Sequence, residues 1–310
     1  MPALLFLCGG RRVELLRRFR AALDAHGGGR ILTTDTEEYP ATSFVADRTC
    51  RVPPCSDGEA FADAIAGIVD RERIDAVLPL RCAAVATVPL LRKRLGSKVI
   101  SGDDHAVAVA TDKREAYRHF LASDVASAEW VEHPSPSDLP LFFRPRRSEG
   151  SAEARAVRSA EELEQLAARD DAFFVRLLQG REVTIDCYRA ADGTLLSVVP
   201  RDRLRVRAGE VERSVTRRRA DVIASTARVL QSLVFTGPAT VQAIVLPHGV
   251  FFTEINLRYG GGVTLSFAAG HDSAAWFVNE MLGKPNPVPA EPRWDYAMTR
   301  YDQEFYFSLP

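Results

Sequence analysis

The first hundred residues alternate short apolar runs with amphipathic helical patterns, and this alternation constrains the fold more than any other feature. The runs ALLFLCGG, GRILTTDT, DAVLPL and KVISG read as strands, and a helical pattern separates each from the next. Strands that alternate with helices in this way form parallel sheets covered on both faces. The sequence therefore predicts an α/β N-terminal unit with a doubly wound, Rossmann-like parallel sheet over residues 1–102.

From residue 103 onward the pattern changes to that of an α+β unit with antiparallel sheets. A turn signal at Asp192 and Gly193 separates the apolar runs EVTIDCYRA and TLLSVVPRDR. A second signal, PHG, separates ATVQAIVL from VFFTEINL. We therefore expect two β-hairpins within a second unit over residues 103–310.

The charge balance and the cysteine content argue against several classes of protein. Lys and Arg number 40 against 41 Asp and Glu, so a broad affinity for nucleic acid or anionic membranes is not expected. The five cysteines have no CxxC spacing, which indicates reduced thiols in a cytoplasmic protein. The sequence has no apolar run of membrane-spanning length, no Walker lysine motif, no GxGxxG and no zinc-ligand spacing.

The stretch GVFFTEINLRYGGG places an acid, an amide and a cation at every second position of an otherwise apolar strand. Because strand side chains alternate between faces, Glu254, Asn256 and Arg258 are predicted to share one face. The same alternation assigns Val250 and Phe252 to that face. An exposed edge strand with a solvated polar end is the alternative interpretation.

The register of this hairpin follows from its turn. If Pro247–Gly249 form a three-residue loop, Leu246 pairs with Val250, and Gln242 then lies opposite Glu254. Carboxylate and amide oxygens are ligands of hard cations such as Mg²⁺, which completes its shell with water and phosphate. The pattern therefore indicates a magnesium and phosphate site.

These residues resemble the ATP-grasp superfamily, specifically short proteins similar to the carbamoyl-phosphate synthetase large subunit. EINLRYGGG matches the family signature E-[IV]-N-P-R followed by glycines, with leucine for the usual proline, and VQ matches the preceding strand. The resemblance implies Mg²⁺ ligands (Mn²⁺ is also allowed) at Gln242, Glu254 and Asn256. It also implies that Arg258 assists at the transferred phosphoryl group of ATP.

The resemblance extends upstream through DK, FFRPRR, the loop SEGSAEA and the hinge strand FVRLLQGREVTID. It implies contacts to the nucleotide phosphates, backbone groups at the adenine and a carboxylate at the ribose. The implied nucleotide-binding residues are Lys113, Arg144, Gly150, Ser151, Arg176, Leu178 and Glu182. It further implies a pre-ATP-grasp domain over 1–102 and an ATP-grasp domain over 103–310, with a lid subdomain at about 141–180.

The resemblance implies an ATP-dependent carboxylate–amine (or thiol) ligase that acts through an acyl phosphate. Its partners would be small-molecule substrates, amino-acid or peptide-like by analogy, and a homodimer is allowed. The glycine-poor loop SEGSAEA and the altered hinge leave an alternative open: a degenerate nucleotide-binding protein with a regulatory or partner-binding role.

Arginines recur at every second position of RDRLRVR, which places Arg201, Arg203, Arg205 and Arg207 on one face of a strand. Such cations repel one another unless anions or solvent match them. Arg201 and Arg203 are candidate catalytic residues that contact polyphosphate or an acidic substrate. A solvated basic strand and an RNA contact are the alternatives. His271 is a candidate substrate contact or, with the following Asp, a helix N-cap.

Overall fold

A computed structural model describes residues 1–147, 153–207 and 209–309 of the chain, and the strands there form three sheets. The strands are β1 (Ala3–Leu7), β2 (Arg30–Asp35), β3 (Arg48–Arg51), β4 (Ala76–Pro79), β5 (Leu141–Pro145), β6 (Arg155–Val157), β7 (Ala172–Arg176), β8 (Arg181–Arg189), β9 (Leu195–Arg207), β10 (Glu210–Thr216), β11 (Gly237–Leu246), β12 (Gly249–Asn256) and β13 (Ala297–Thr299). The helices are α1 (Val13–Asp24), α2 (Gly58–Glu72), α3 (Cys82–Ala86), α4 (Val88–Leu95), α5 (Asp104–Thr111), α6 (Lys113–Ala122), α7 (Ala160–Ala167), α8 (Ala220–Gln231), α9 (Thr264–Ala268) and α10 (Ser273–Met281).

The N-terminal sheet has four parallel strands in the order β3-β2-β1-β4, which confirms the predicted α/β fold. Its strand β1 is buried on both faces: Leu4 and Phe6 pack with helix α1, and Leu5 and Leu7 pack with α2. A parallel sheet covered in this way reads as a continuous apolar run, as ALLFL does. Helices α1 and α2 therefore lie on opposite faces of the sheet.

Two details of the N-terminal prediction are wrong. The segment KVISG is not a strand, because it makes only one parallel bridge, between Val77 and Val99. The sheet instead gains β3, whose burial pattern is mostly exposed and therefore gave no apolar run to detect. Both differences concern the edges of the sheet, where burial is incomplete.

The second part of the chain contains two antiparallel sheets, as predicted for an α+β unit. The larger sheet has the order β12-β11-β8-β9-β10-β13, and the smaller has the order β6-β5-β7. The predicted turn between β8 and β9 is confirmed: Gly193 has a φ of +89° and its N–H donates to the Ala190 carbonyl. Helix α7 accompanies the small sheet.

The helical stretch before the small sheet is divided into two helices. Asp112 interrupts it with an extended backbone (φ −129°, ψ 118°), and its carboxylate accepts from the Arg114 N–H at the start of α6. An N-cap at Asp112 thus starts a new helix, of which the buried Lys113 is the first residue. Among the described residues, every helix is too short or too polar to cross a membrane.

Candidate functional site

A cavity of about 380 Å³ lies between the small antiparallel sheet and the end of the large one. Its wall is formed by β5, β7, α6 and the strands β8, β11 and β12. Eight residues proposed from the sequence line it: Lys113, Arg144, Arg176, Leu178, Glu182, Arg203, Gln242 and Glu254. Segments more than a hundred residues apart in sequence thus meet around one space.

The hairpin of β11 and β12 brings Gln242 opposite Glu254, as predicted, although by a different route. The turn contains two residues, because Leu246 pairs with Gly249 rather than with Val250. A register shift next to Gln242 then inserts one extra residue, Thr253, into β12. The bulge restores the predicted pairing at the polar end of the hairpin.

The same bulge changes which face the apolar residues occupy. Val250 and Phe252 were predicted to share the polar face, and this is wrong: both lie in one hydrophobic cluster with Ile255. A bulge shifts the alternation of a strand by one residue, so that faces cannot be counted through it. Consequently the polar face of β12 begins only at Glu254.

Asn256 lies deeper than its two neighbours in the proposed metal set. Its side chain is buried, it stands opposite Thr240, and its Oδ1 accepts from the Cys82 thiol at 2.8 Å. Its Nδ2 is buried without a hydrogen-bond partner among the described residues. A buried carboxamide with one unsatisfied group suits a site completed by a ligand.

Two cations, the buried Lys113 and the half-buried Arg144, lie on the cavity wall with Glu254. Burial lowers the pKa of Lys113; the Glu254 carboxylate opposes this effect and the Arg144 guanidinium adds to it. Burial also lowers the pKa of Arg144, again against the attraction of Glu254. Arg144 donates to the Thr253 carbonyl at 2.5 Å, which ties the small sheet to the bulge of β12. The wall is therefore electropositive around one carboxylate.

Asp112 anchors the chain beside Lys113. Its buried carboxylate accepts from Arg146 at 2.6 Å and from Arg147 at 3.3 Å, just after β5. Burial raises the pKa of this carboxyl, but the two arginines and the Arg114 N–H outweigh that effect and lower it. In the sequence pair DK, Asp112 thus holds the segment after β5 in place, and Lys113 lines the cavity.

Apolar side chains form the other end of the cavity. Phe173 of β7 stacks against Trp130 with ring centroids 5.8 Å apart, and Arg144 lies 5.9 Å above the Phe173 ring. Further lining residues at this end are Tyr117, Phe120, Ala128, Phe142, Val175, Ile244 and Phe252. Such a flat apolar slot suits an aromatic base. Sequence reasoning missed it, because these residues resemble ordinary core positions.

The hinge residues occupy the border of this slot. Arg176 donates its backbone N–H to the Glu129 carbonyl, and its guanidinium binds the Asp138 carboxylate at 3.0 Å. Glu182 pairs with Arg203 at 2.9 Å, and Leu178 lines the cavity. The proposed base and ribose contacts are thereby adjacent in space.

Each arginine of strand β9 is paired with a carboxylate from another part of the protein. The pairs are Arg201–Asp186 at 2.8 Å, Arg203–Glu182 at 2.9 Å, Arg205–Glu212 at 2.7 Å and Arg207–Asp302 at 2.6 Å. Arg203 lines the cavity, whereas Arg201 does not and is only 2% exposed. The protein itself therefore supplies anions that match this row of cations.

The remaining proposed residues lie past the end of β12 or outside the described chain. Arg258 is half-buried, and its Nη1 donates to the Tyr259 carbonyl at 3.1 Å. Gly150 and Ser151 fall outside the described residues. His271 is buried, with Nδ1 at 2.9 Å from the Ser197 hydroxyl and Nε2 at 2.9 Å from the Ala290 carbonyl. Asp272 caps α10, in keeping with the N-cap interpretation.

A second cavity, of about 640 Å³, adjoins the first. Lys113 and Glu254 line both cavities, so these two residues mark their common border. Cys82, Arg146 and Arg147 also line the second cavity, which lies among α3, α5, α6 and the end of β12. Two molecules, one bound in each cavity, would approach each other at Glu254.

The oxygen donors around Glu254 suit an ion such as Mg²⁺, which keeps water and phosphate ligands, better than an ion held only by protein side chains. Within the described residues, no three His, Cys, Asp or Glu side chains cluster closely enough to hold a metal ion. Gln242 and Glu254 face each other across one strand pair, and Asn256 lies two residues further along β12, where its Oδ1 accepts from the Cys82 thiol and keeps a second lone pair for a ligand. One carboxylate with amide oxygens matches Mg²⁺, which takes its other ligands from phosphates and water.

Two family models match successive parts of the chain. Residues 4–95 match the model described as "PylC-like, N-terminal domain". Residues 168–304 match the model described as "ATP-grasp in the biosynthetic pathway with Ter operon". No curated protein sequence matches the chain.

Solved structures with similar folds cover nearly the whole chain. N5-carboxyaminoimidazole synthetase from Staphylococcus aureus, complexed with ADP, is 14% identical with a TM-score of 0.76, over 94% of this chain and 80% of that one. Biotin carboxylase from Campylobacter jejuni is 15% identical with a TM-score of 0.74, over 92% and 72%. L-amino acid ligase from Bacillus licheniformis is 14% identical with a TM-score of 0.72, over 91% and 74%.

At these identities the structural likeness establishes the fold, and the two family models agree with it. The parallel sheet lies in the segment that matches the PylC-like model, and the two antiparallel sheets are typical of ATP-grasp domains. The chain thus combines a PylC-like match over residues 4–95 with an ATP-grasp match over residues 168–304.

Proposed function

We propose that the protein is an ATP- and Mg²⁺-dependent ligase that joins a small-molecule carboxylate to an amine, or to a thiol, through an acyl phosphate. The observation that carries this proposal is the 380 Å³ cavity, whose wall combines the apolar slot around Phe173 with the charged side chains of Lys113, Arg144 and Glu254. A nucleoside triphosphate has this same division between a flat base and an anionic tail.

The nucleotide would lie with its base in the slot beside Phe173 and its ribose hydroxyls at Glu182. Backbone groups of Arg176 and Leu178 would contact the base edge. Lys113 and Arg144, which are positively charged and line the cavity, would hold the phosphates. The fold likeness to a structure complexed with ADP supports the cavity as a nucleotide site.

Gln242, Glu254 and Asn256 would hold Mg²⁺ at the phosphate end. When bound there, the ion would neutralise the β and γ phosphates and so favour transfer of the terminal phosphoryl group. The protein's own part is to fix these three donors on one hairpin and to keep Lys113 and Arg144 beside them. Catalysis then rests mainly on positioning and charge.

In the reaction, a substrate carboxylate oxygen attacks the γ-phosphorus and ADP departs, which gives an acyl phosphate. The amine then attacks the acyl carbon, inorganic phosphate leaves, and the amine nitrogen loses its proton. Arg258, which follows Asn256 by two residues, would stabilise the transferred phosphoryl group. Residues 141–180 would act as a lid of the domain 103–310, with residues 1–102 as the pre-ATP-grasp domain.

The substrate class proposed is an amino acid or a peptide-like molecule. The fold likeness to an L-amino acid ligase supports this choice, as does the second cavity, which meets the first at Glu254. The finer resemblance to carbamoyl-phosphate synthetase remains a prediction of the motifs.

The direct test is release of ADP and phosphate over a matrix of carboxylates and amines, with product mass detected for every active pair. We expect ADP and phosphate in equal amounts, together with a condensed product. Binding of MgATP without turnover on any pair would instead favour the regulatory nucleotide-binding alternative. Absence of MgATP binding would overturn both.

A further inference from the structure

The N-terminal sheet has a crevice at the carboxyl ends of β1 and β4. After β1 the chain enters α1 on one face of the sheet, whereas after β4 it enters α3 on the other face. Because these two neighbouring strands send their connections in opposite directions, a crevice opens beyond their carboxyl ends. Arg12 begins α1 at this crevice.

Two arginines from distant segments, Arg12 and Arg300, pair with one carboxylate there, and we call these three residues the Glu210 cluster. Arg300 lies 2.9 Å from Glu210 and Arg12 lies 3.5 Å from it. Burial raises the pKa of Glu210, but the charges of Arg12, Arg300 and Arg258 outweigh this effect and lower it. Arg258 lies three residues before Gly261, whose backbone packs against Glu210 and Arg12, so this segment joins the cluster to the proposed phosphoryl-transfer end.

A glycine makes room for this arrangement. A Cβ atom on Gly261 would lie 2.6 Å from Glu210 Oε2 and 3.0 Å from Arg12 Nη1, which is closer than ordinary contact. The GGG run therefore brings the backbone after β12 against the Glu210 cluster. A substrate held at Arg258 would have Arg12 and Arg300 as its next cationic neighbours.

The arginines of the Glu210 cluster already pair with a carboxylate, that of Glu210, which lies where an external carboxylate could replace it. Glu210 is the first residue of β10, next to the turn after β9, and its side chain is 51% exposed. Arg12, in contrast, is 17% exposed, so the guanidinium is more enclosed than the carboxylate it binds. An enclosed arginine that pairs with a more exposed internal carboxylate suits competition with an external one.

We propose that Arg12, together with Arg300, selects a substrate with a second carboxylate, and that Glu210 occupies this subsite until the substrate displaces it. This inference rests on the proposed function, because it assigns the substrate class of the same site. Arg258 would lie at the carboxylate that is phosphorylated, and Arg12 would be a specificity-determining residue for the other one.

Isosteric pairs of ligands test the proposal by direct binding, without a need for turnover. Calorimetry on MgADP-saturated full-length protein would compare aspartate with asparagine, glutamate with glutamine and succinate with succinamate. We expect at least one acid to bind about tenfold or more tightly than its amide. Equal affinity within every pair, or no binding of any acid, would overturn the proposal.

Four variants test which residues produce the preference for the acid over its amide. Arg12→Gln should remove the preference for the acid and leave affinity for the amide within twofold, and Arg12→Lys should restore part of the preference. Glu210→Gln should strengthen acid binding severalfold, because the internal competitor is gone. Arg205→Gln removes an arginine whose guanidinium pairs with Glu212 on the same hairpin, and it should change nothing.

A structural tie between α1, β10 and the C-terminal segment would give a different pattern. In that case Arg12→Gln and Glu210→Gln would weaken acids and amides alike, and this result would overturn the proposal. If Arg12→Gln does not fold, the opposite effects expected for Arg12→Lys and Glu210→Gln still decide the matter. Failure of the proposed function would be seen separately, as a lack of MgADP and MgATP binding.

Discussion

Two hairpins of the large sheet carry charged residues at alternating positions, but the partners of these charges differ between the two hairpins. In β9 and β10, the arginines pair with carboxylates of the protein, and Arg201 is almost fully buried against Asp186. In β11 and β12, Glu254 faces a cavity that it shares with Lys113 and Arg144.

The comparison shows that a row of charges is informative only when its partners are known. Alternation along β9 suggested a polyphosphate, yet distant acids, such as Asp302 with Arg207, match the row internally. Alternation along β12 suggested a ligand, and the structure opens that end of the strand into two adjoining cavities. Internal pairing indicates architecture, whereas charge at a cavity indicates binding.

The largest expected effect separates Glu254 from a matched acid on the other hairpin. Glu254→Gln keeps the shape but removes the negative charge proposed to bind Mg²⁺, so ADP release should fall about 10³-fold. Glu212→Gln also removes one carboxylate, but this one pairs with Arg205, and activity should change less than twofold. Near-normal ADP release by Glu254→Gln, with an unchanged circular dichroism spectrum, would contradict the assignment of Glu254 as a Mg²⁺ ligand.

The next effect is on stability and concerns the buried pair of the arginine hairpin. Arg201→Gln leaves Asp186, 5% exposed, without its main cationic partner, although Ser266 still donates to it at 2.7 Å. Breaking one side of a buried pair costs about 3–5 kcal/mol. Urea unfolding should show this loss, whereas a loss of less than about 1 kcal/mol would mean that Arg201 is not structural.

Lys113 should give the nucleotide affinity a dependence on alkaline pH. Its pKa lies below the usual 10.5, chiefly because it is buried. The charged form binds phosphate, so affinity for MgATP should fall about tenfold or more as pH rises through this lowered pKa. Lys113→Arg keeps a charge at all accessible pH values and should abolish the decline. Identical pH profiles for both proteins, measured by calorimetry, would exclude Lys113 as the phosphate contact.

The smallest effect is expected at Arg203, which has features of both hairpins. It pairs with Glu182, whose side chain is 58% exposed, and also lines the first cavity. Arg203→Gln should cost less than about 1 kcal/mol of stability and raise the KM for ATP only a few-fold. A large loss of kcat would instead support Arg203 as a catalytic residue, as the sequence predicts.

Local pattern predicted the strands and turns of this protein well, but it did not predict the contacts between them. The opposition of Gln242 and Glu254 was derived with a three-residue turn, and it holds because the bulge at Thr253 compensates for a two-residue turn. A bulge has no clear signal in the sequence, so the faces of Val250 and Phe252 could not be counted correctly.

Long-range partners were beyond the reach of the sequence for a similar reason. The thiol of Cys82 meets Asn256 across 174 positions, and Asp112 binds Arg146 across 34 positions that include α6 and β5. Such contacts arise from the packing of whole elements, not from spacing along the chain. The motif residues were found because their polarity is unusual in apolar strands, whereas the slot around Phe173 has ordinary core composition.

The central claim is that the cavity binds ATP together with Mg²⁺. Thermal unfolding with ATP, with and without Mg²⁺, tests it most directly, for the wild-type protein and for Glu254→Gln. ATP with Mg²⁺ at a hundredfold excess over its Kd should add about 2.7 kcal/mol to wild-type stability, and Glu254→Gln should lose the part that depends on Mg²⁺. An unchanged Tm with ATP, whether or not Mg²⁺ is present, would contradict the claim.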